Sequence, residues 1–115
     1  MTKAFYALGR LKSGTMNKTE QAYADHLDRQ RLGGQLQWWK FEPMKFRLAD
    51  KTFYTPDFVV LTADGYLECH EVKGFWQDDA RVKIKVAAEI HPLRFVAVKA
   101  RAKKHGGGWD CEVFA

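Results

Sequence analysis

Apolar and polar positions along this chain follow two different periods, and the switches between them outline the elements. In NKTEQAYADHLDRQRLGG (17–34), Tyr23, Ala24 and Leu27 follow Glu20 at i+3, i+4 and i+7, which is one stripe of a helix. Asn17 and Glu20 have the spacing of a capping box, and Gly33 and Gly34 supply a stop. QLQWWKF (35–41) and PMKFRLA (43–49) read as strands divided by Pro43. KTFYTPDFVVL (51–61), rich in aromatic and β-branched residues, reads as one stronger strand. GYLECHEVKGF (65–75) follows a tight turn as another. DDARVKIKVAAEIHP (78–92) predicts a second helix, capped by Asp78 or Asp79 and closed by Pro92, although RVKIKV within it alternates as a strand would. LRFVAVK (93–99) and WDCEVF (109–114) complete the strands, and KHGGGWD (104–110) is a glycine-rich loop.

The order is therefore helix, three-stranded antiparallel meander, helix, then one or two strands. The strand–helix–strand unit over 66–99 should be a right-handed crossover to a parallel neighbour. The expected fold is α/β in the α+β sense: a mixed sheet with helices against it.

Composition narrows the setting. A chain of 115 residues, 46% hydrophobic and 14% aromatic, suits one domain with a real core, here 17–115 behind a flexible basic arm, 1–16. No apolar run reaches the length of a membrane span, and MTKAFYALGRLKSG lacks the core of a secretory signal. Cys69 and Cys111 show no CxxC spacing; both fall in strands and are expected to be buried thiols, which argues against zinc and for a cytoplasmic protein. The net charge is +5. Lys99, Arg101, Lys103, Lys104 and His105 cluster near one end, and Lys3, Arg10, Lys12 and Lys18 near the other. Such clusters suit nucleic acid, and solvated chain ends equally well.

The chemistry concentrates in two strands. Alternation puts Leu67, Cys69, Glu71 and Lys73 on one face of theirs, with Glu68, His70 and Val72 on the other. Phe53, Thr55, Asp57, Val59 and Leu61 share a face of the preceding strand. The connecting TADGY allows two registers. A two-residue turn at Asp64-Gly65 would oppose Asp57 to Val72. A three-residue loop at Ala63-Asp64-Gly65, with Gly65 left-handed, would oppose Asp57 to Glu71 and Thr55 to Lys73. In the second register two carboxylates stand roughly 5 Å apart at their Cβ atoms, an arrangement that calls for a proton or a cation with oxygen ligands.

Pro56-Asp57 followed by Glu71-Val72-Lys73 resembles the PD-(D/E)xK signature of a large nuclease superfamily. The wider run NKTEQAYADHL…WWKFEP…FYTPDF…ECHEVKGFW…DDARVKIKVAAE resembles a small phage and prophage family of endonucleases within it, related to phage endonuclease I type junction resolvases. The resemblance implies a restriction-endonuclease-like fold. It also implies Mg²⁺, with Mn²⁺ able to substitute, bound by Asp57, Glu71 and the Val72 carbonyl. Lys73 would position or activate the attacking water and offset charge on the scissile phosphate. Because the superfamily often adds an acidic ligand from the first helix, Glu20 is a fourth candidate; its alternative is the cap with Asn17. DNA, duplex or branched, would be the partner, and a homodimer would present two sites to two strands.

The remaining candidates are contacts to the nucleic acid. Arg81 and Lys85 form a polar stripe with Glu89, while Lys83 falls among apolar residues as a snorkelling stem or a phosphate contact. Trp76, beside Gly74, could stack on an unpaired base, and Lys103 and Lys104 extend the basic end. Most other aromatic residues, Trp38 and Trp39 included, are expected in the core, and His70 is expected to be a packed or surface histidine. The chain thus reads as a metal-dependent DNA endonuclease, against two alternatives: a non-catalytic nucleic-acid-binding module on the same fold, and an interaction protein using its sheet edge and aromatics.

Overall fold

Asn17 starts the first helix as its spacing requires: its Oδ1 accepts from the Glu20 N–H at 2.8 Å, and Glu20 Oε1 accepts from the Asn17 N–H at 2.9 Å. This helix, α1 (Lys18–Leu32), ends where Gly33 donates back to the Arg29 carbonyl and Gly34 adopts φ +79°. In the computed structural model, residues 14–73 and 78–114 are described, without the side chains of Asp78 and Asp79. The proposed cap at those aspartates, Trp76, and the first thirteen residues of the basic arm lie outside them. Of the arm's last residues, the Gly14 N–H donates to Glu42 Oε1 at 2.9 Å, and Met16 packs against the core.

The strands are β1 (Leu36–Phe41), β2 (Phe46–Ala49), β3 (Thr52–Tyr54), β4 (Phe58–Thr62), β5 (Leu67–Lys73), β6 (Arg94–Ala100) and β7 (Trp109–Phe114), with α2 (Asp78–Ile90) between β5 and β6. Five of them make one mixed sheet in the order β1-β4-β5-β6-β7, in which β5 and β6 run parallel across the α2 crossover and the other neighbours are antiparallel. The fold is α+β, with two helices on a mixed five-stranded sheet.

The strands depart from the expected pattern in two ways. The segment 51–61 is not one strand: it breaks at Thr55-Pro56-Asp57, so Phe53 does not share a sheet face with Val59. Pro56 has no N–H to give a ladder, which favours the break. The consecutive strands also do not form a simple meander. β1 pairs with β4, and β2 with β3 form a separate two-stranded ribbon looping out between them. A period-2 pattern identifies strands but carries no partner information, so it could not show this excursion.

Alternation then divides the core. Toward α1 lie Phe58, Val60, Val72, Val96 and Val98, packed under Tyr23, Ala24 and Leu27. Toward α2 lie Val59, Cys69, Phe95 and Ala97, packed under Ile84 and Ala87 and flanked by Tyr54 and Phe46 of the ribbon. α2 is a helix because Ile84 and Ala87, three apart, are the positions buried against the sheet, which outweighs the strand-like RVKIKV. Cys69 is buried as expected; Cys111 is exposed, because β7 is an edge strand. Trp38 lies exposed on β1, the other edge, and Trp39 is half-buried. Among the described residues, no helix is long and apolar enough to cross a membrane.

Candidate active site

The turn between β4 and β5 decides what faces what. Gly65 takes φ +92°, its N–H donates to the Thr62 carbonyl at 3.1 Å, and the Thr62 N–H donates to the Tyr66 carbonyl at 2.8 Å. This is the three-residue loop. The ladder runs from Leu61 opposite Leu67 to Phe58 opposite His70, so its next step brings Asp57 to Glu71. Of the two registers open to the sequence, the structure takes the one that joins the carboxylates.

Beyond Phe58 the chain leaves the sheet, and Asp57 takes over its role. Continued, the ladder would oppose Val72 to Pro56; instead the Val72 N–H donates to Asp57 Oδ2 at 2.8 Å. The Asp57 carbonyl accepts from the Glu42 N–H at 2.8 Å, which fixes the other side of the turn. Glu71 Oε1 accepts from the Tyr54 hydroxyl at 2.9 Å and, more weakly, from the Asp57 N–H at 3.3 Å. Glu71 Oε2 stands 3.3 Å from the Lys73 ammonium. Asp57 and Glu71 are 7% and 8% exposed, and Lys73 is half-buried.

These positions put two anionic groups and one cation in a poorly solvated corner. Burial first, and then the Glu71 charge, push the Asp57 carboxyl up to about 8, against the pull of the Val72 N–H. Burial raises Glu71 too, with Lys73 and the Tyr54 hydroxyl opposing. For Lys73, burial works to lower its affinity for a proton, but the Glu71 and Asp57 charges outweigh it and hold the ammonium above its ordinary range. Lys73 is therefore a cation at neutral pH. Tyr54 is pushed upward by burial and by Glu71, so it stays a hydroxyl and a donor.

Glu20 begins α1 at this end of the sheet. Its charge raises both Asp57 and Lys73, while its Oε1 is held by the Asn17 N–H. The stripe expected to turn it inward is real: Tyr23, Ala24 and Leu27 are buried and Glu20 is half-buried. Among the described residues, no three His, Cys, Asp or Glu side chains are gathered as a metal would gather them. The donor chemistry of the pair nonetheless fits a hard divalent cation. Asp57 and Glu71 offer only oxygen, next to one another, with burial, and for Asp57 the neighbouring Glu71 charge, raising their affinity for a proton despite Lys73.

The candidate nucleic-acid contacts are scattered. Lys83 and Lys85 are exposed on α2; Lys83 does not lie among buried residues, because Ile84 and Ala87 take the inward positions and leave it turned to water. Arg81 is held by Glu112 of β7 through two bonds of 2.7 and 2.9 Å. Lys103 and Lys104 are exposed in a short 3₁₀ turn, Lys103–His105, with Lys99 exposed at the end of β6.

One group went unmarked in the sequence, and a second was marked without its partners. Tyr54 reaches Glu71 only because the ribbon folds back over the sheet. His70, on the α1 face, accepts or donates at Nδ1 to the Tyr23 hydroxyl (2.6 Å) and at Nε2 to Glu68 Oε1 (3.0 Å), and Glu68 Oε2 pairs with Arg94 at 2.7 Å. The packed histidine was foreseeable from alternation, but not its partners on α1 and β6. No protein-family model, curated protein or solved structure matches this chain.

Proposed function

We propose that this chain is a metal-dependent endonuclease that hydrolyses DNA phosphodiester bonds, on a restriction-endonuclease-like fold. The observation that carries the reading is the Asp57–Glu71 pair: two buried carboxylates brought together by a strand break and a loop, with Lys73 beside them. A purely structural pair in this position would be costly, since each charge opposes the other and neither is well solvated.

Asp57, Glu71 and Glu20, with the Val72 carbonyl, would hold Mg²⁺ or Mn²⁺. The ion would supply an activated water and charge stabilisation at the leaving oxygen. The chain's own residues supply the rest. Glu71 orients Lys73, and the Lys73 ammonium, firmly protonated, acts as a hydrogen-bond donor to a phosphate oxygen or to the attacking water rather than as a base. Tyr54 fixes the Glu71 rotamer from the buried side, and the Val72 N–H fixes that of Asp57. Arg81, Lys83, Lys85, Lys103, Lys104 and Trp76 remain proposed contacts to DNA, and a phage- or prophage-encoded enzyme in the host cytoplasm, acting on branched DNA as a homodimer, is the biological setting the resemblance suggests.

The test uses linear duplex, single-stranded and four-way-junction DNA in Mg²⁺, Mn²⁺ or EDTA, with the wild type beside Asp57→Ala and Lys73→Ala. Metal-dependent cleavage that both folded variants lose supports the reading, and the preferred substrate defines the branch. No cleavage by the wild type on any substrate or metal, with DNA binding unchanged in both variants, would instead make the chain a binding module.

A further inference from the structure

The β2–β3 ribbon, which the sequence pattern did not foresee, has one face turned away from the core, where Arg47 stands 3.8 Å from Asp50 in an exposed ion pair. Its inward face carries Phe46, Leu48 and Tyr54, packed on the α2 side of the core. Strand alternation and the pairing of Arg47 with Phe53 put Lys45, Arg47, Phe53 and Thr55 on the outward face. All four are exposed; Phe53, a large apolar ring, is 43% exposed, and the Lys45 ammonium lies 4.4 Å above its centre. Beside this face a groove of about 440 Å³ opens between Phe41, Glu42, Pro43, Met44, Lys45 and Thr55.

The groove is physically joined to the candidate active site. Thr55, which lines it, is two residues from Asp57, and the N–H of Glu42, which also lines it, donates to the Asp57 carbonyl. Its chemistry is that of a base rather than a phosphate. Phe41, Pro43 and Met44 are apolar, and the Glu42 carboxylate, which accepts from the Gly14 N–H, would repel an anion. Of the cations, Lys45 lines its edge and Arg47 lies beyond it on the same strand, where a sugar-phosphate backbone would pass. The volume is of the size that holds one small planar ligand.

We propose that the outward face of this ribbon binds an unpaired stretch of the substrate strand next to the cleaved phosphate: one base enters the groove, a neighbouring base displaces the Lys45 ammonium from the Phe53 ring and stacks there, and the released Lys45 with Arg47 holds the backbone. It rests on the reading of nucleic acid as the substrate. Charge complementarity selects the polyanion, and the exposed ring together with the apolar groove selects unpaired over paired bases, since a duplex hides its base faces. The ribbon would thereby give the site a preference for single-stranded or branched DNA over uninterrupted duplex.

The experiment is fluorescence anisotropy in EDTA, where no cleavage occurs, with a labelled single strand and the matching duplex. Phe53→Ala should weaken single-strand binding roughly ten-fold while leaving duplex binding unchanged, and Phe53→Trp, which keeps a stacking plane, should restore it. Lys45→Ala should lower the slope of log affinity against log salt by about one. Val82→Ala, an exposed apolar residue on α2, is the control and should bind as wild type. Equal single-strand affinity for Phe53→Ala and wild type overturns the proposal, as does a wild type that binds duplex more tightly than single strand. Loss of single-strand binding in Phe53→Ala, in a protein that never cleaves with any metal, would refute the nuclease reading alone. A wild type that cleaves normally, with Phe53→Ala unchanged in binding, would refute the ribbon alone.

Discussion

The two faces of β5 each bury charged or polar side chains, and they do so on opposite terms. On the α1 face, His70 is 8% exposed, but both ring nitrogens are bonded, and the Glu68 that one of them meets is neutralised by Arg94. On the α2 face, Asp57 and Glu71 are as deeply placed, yet two acids share one lysine. The first arrangement closes on itself and ties α1 to the sheet. The second is left with surplus negative charge that only an added cation or a proton relieves. Burial alone therefore does not mark a functional site; an unbalanced charge account after every local partner has been counted does.

The contrast can be broken most severely at Lys73. Lys73→Ala should reduce cleavage by at least about 100-fold under conditions where the variant remains folded, because its role belongs to the reaction, and Lys73→Arg should not restore full rate. Single-turnover cleavage alongside thermal unfolding checks this; a variant that cuts at wild-type speed would remove Lys73 from the site.

Stability should respond in opposite directions on the two faces. With its carboxyl raised from near 4 in the unfolded chain to about 8 in the folded one, Asp57 holds more protons folded than unfolded between those values. Its contribution to stability is then full below about pH 4 and is lost as pH climbs toward 8. Chelated wild-type protein should melt at lower temperature at pH 8 than at pH 5, and Mg²⁺ should restore it at pH 8. Asp57→Asn, which keeps an acceptor for the Val72 N–H, should raise the metal-free melting temperature at pH 8 by about 4–8 °C, equivalent to about 1 kcal/mol, and abolish the Mg²⁺ effect. A lower melting temperature in Asp57→Asn would show that the carboxylate is already well compensated.

Tyr23→Phe tests the closed network. It leaves His70 Nδ1 without its partner in a buried place and should destabilise the protein by about 1–3 kcal/mol, with the same Mg²⁺ response as wild type. Denaturant midpoints with and without Mg²⁺ separate the two faces, and a Tyr23→Phe protein that lost its Mg²⁺ response would join them.

Glu20→Gln carries the smallest expected effect. A glutamine can still accept from the Asn17 N–H, so stability should change by less than about 0.5 kcal/mol. The Mg²⁺ needed for half-maximal cleavage should rise severalfold, because one anion near the pair is gone. An unchanged Mg²⁺ requirement would leave Glu20 as a cap and nothing more.

How much of this was legible in the sequence varies by feature. Both helices could be read, because capping spacing and a 3.6-residue apolar stripe are local properties; the Asn17–Glu20 box and the Tyr23–Ala24–Leu27 stripe formed as written. Most strands, their alternation and the parallel step across α2 were legible for the same reason, but the break of 51–61 into β3 and β4 was not. The register of β4 on β5 was legible only as two alternatives, because glycine at position 65 satisfies either loop. The loop that formed pairs Thr62 with Tyr66 in the backbone, and the Thr62 hydroxyl adds bonds to Asp64 and to the Tyr66 N–H.

What the chain alone determined is thus both helices, most of the strands and the residue types they carry: a carboxylate in the segment 51–61, a carboxylate and a lysine at the end of β5, and an acid in the first turn of α1. What only the tertiary structure decided is the company those residues keep. The detour of β2 and β3 out of the main sheet brings Tyr54 onto Glu71 and places an exposed ring and two cations beside the site, and the docking of α2 through Ile84 and Ala87 turns Lys83 to water. Those outcomes depend on which distant segments pack together, and period, propensity and spacing act over a few residues at a time.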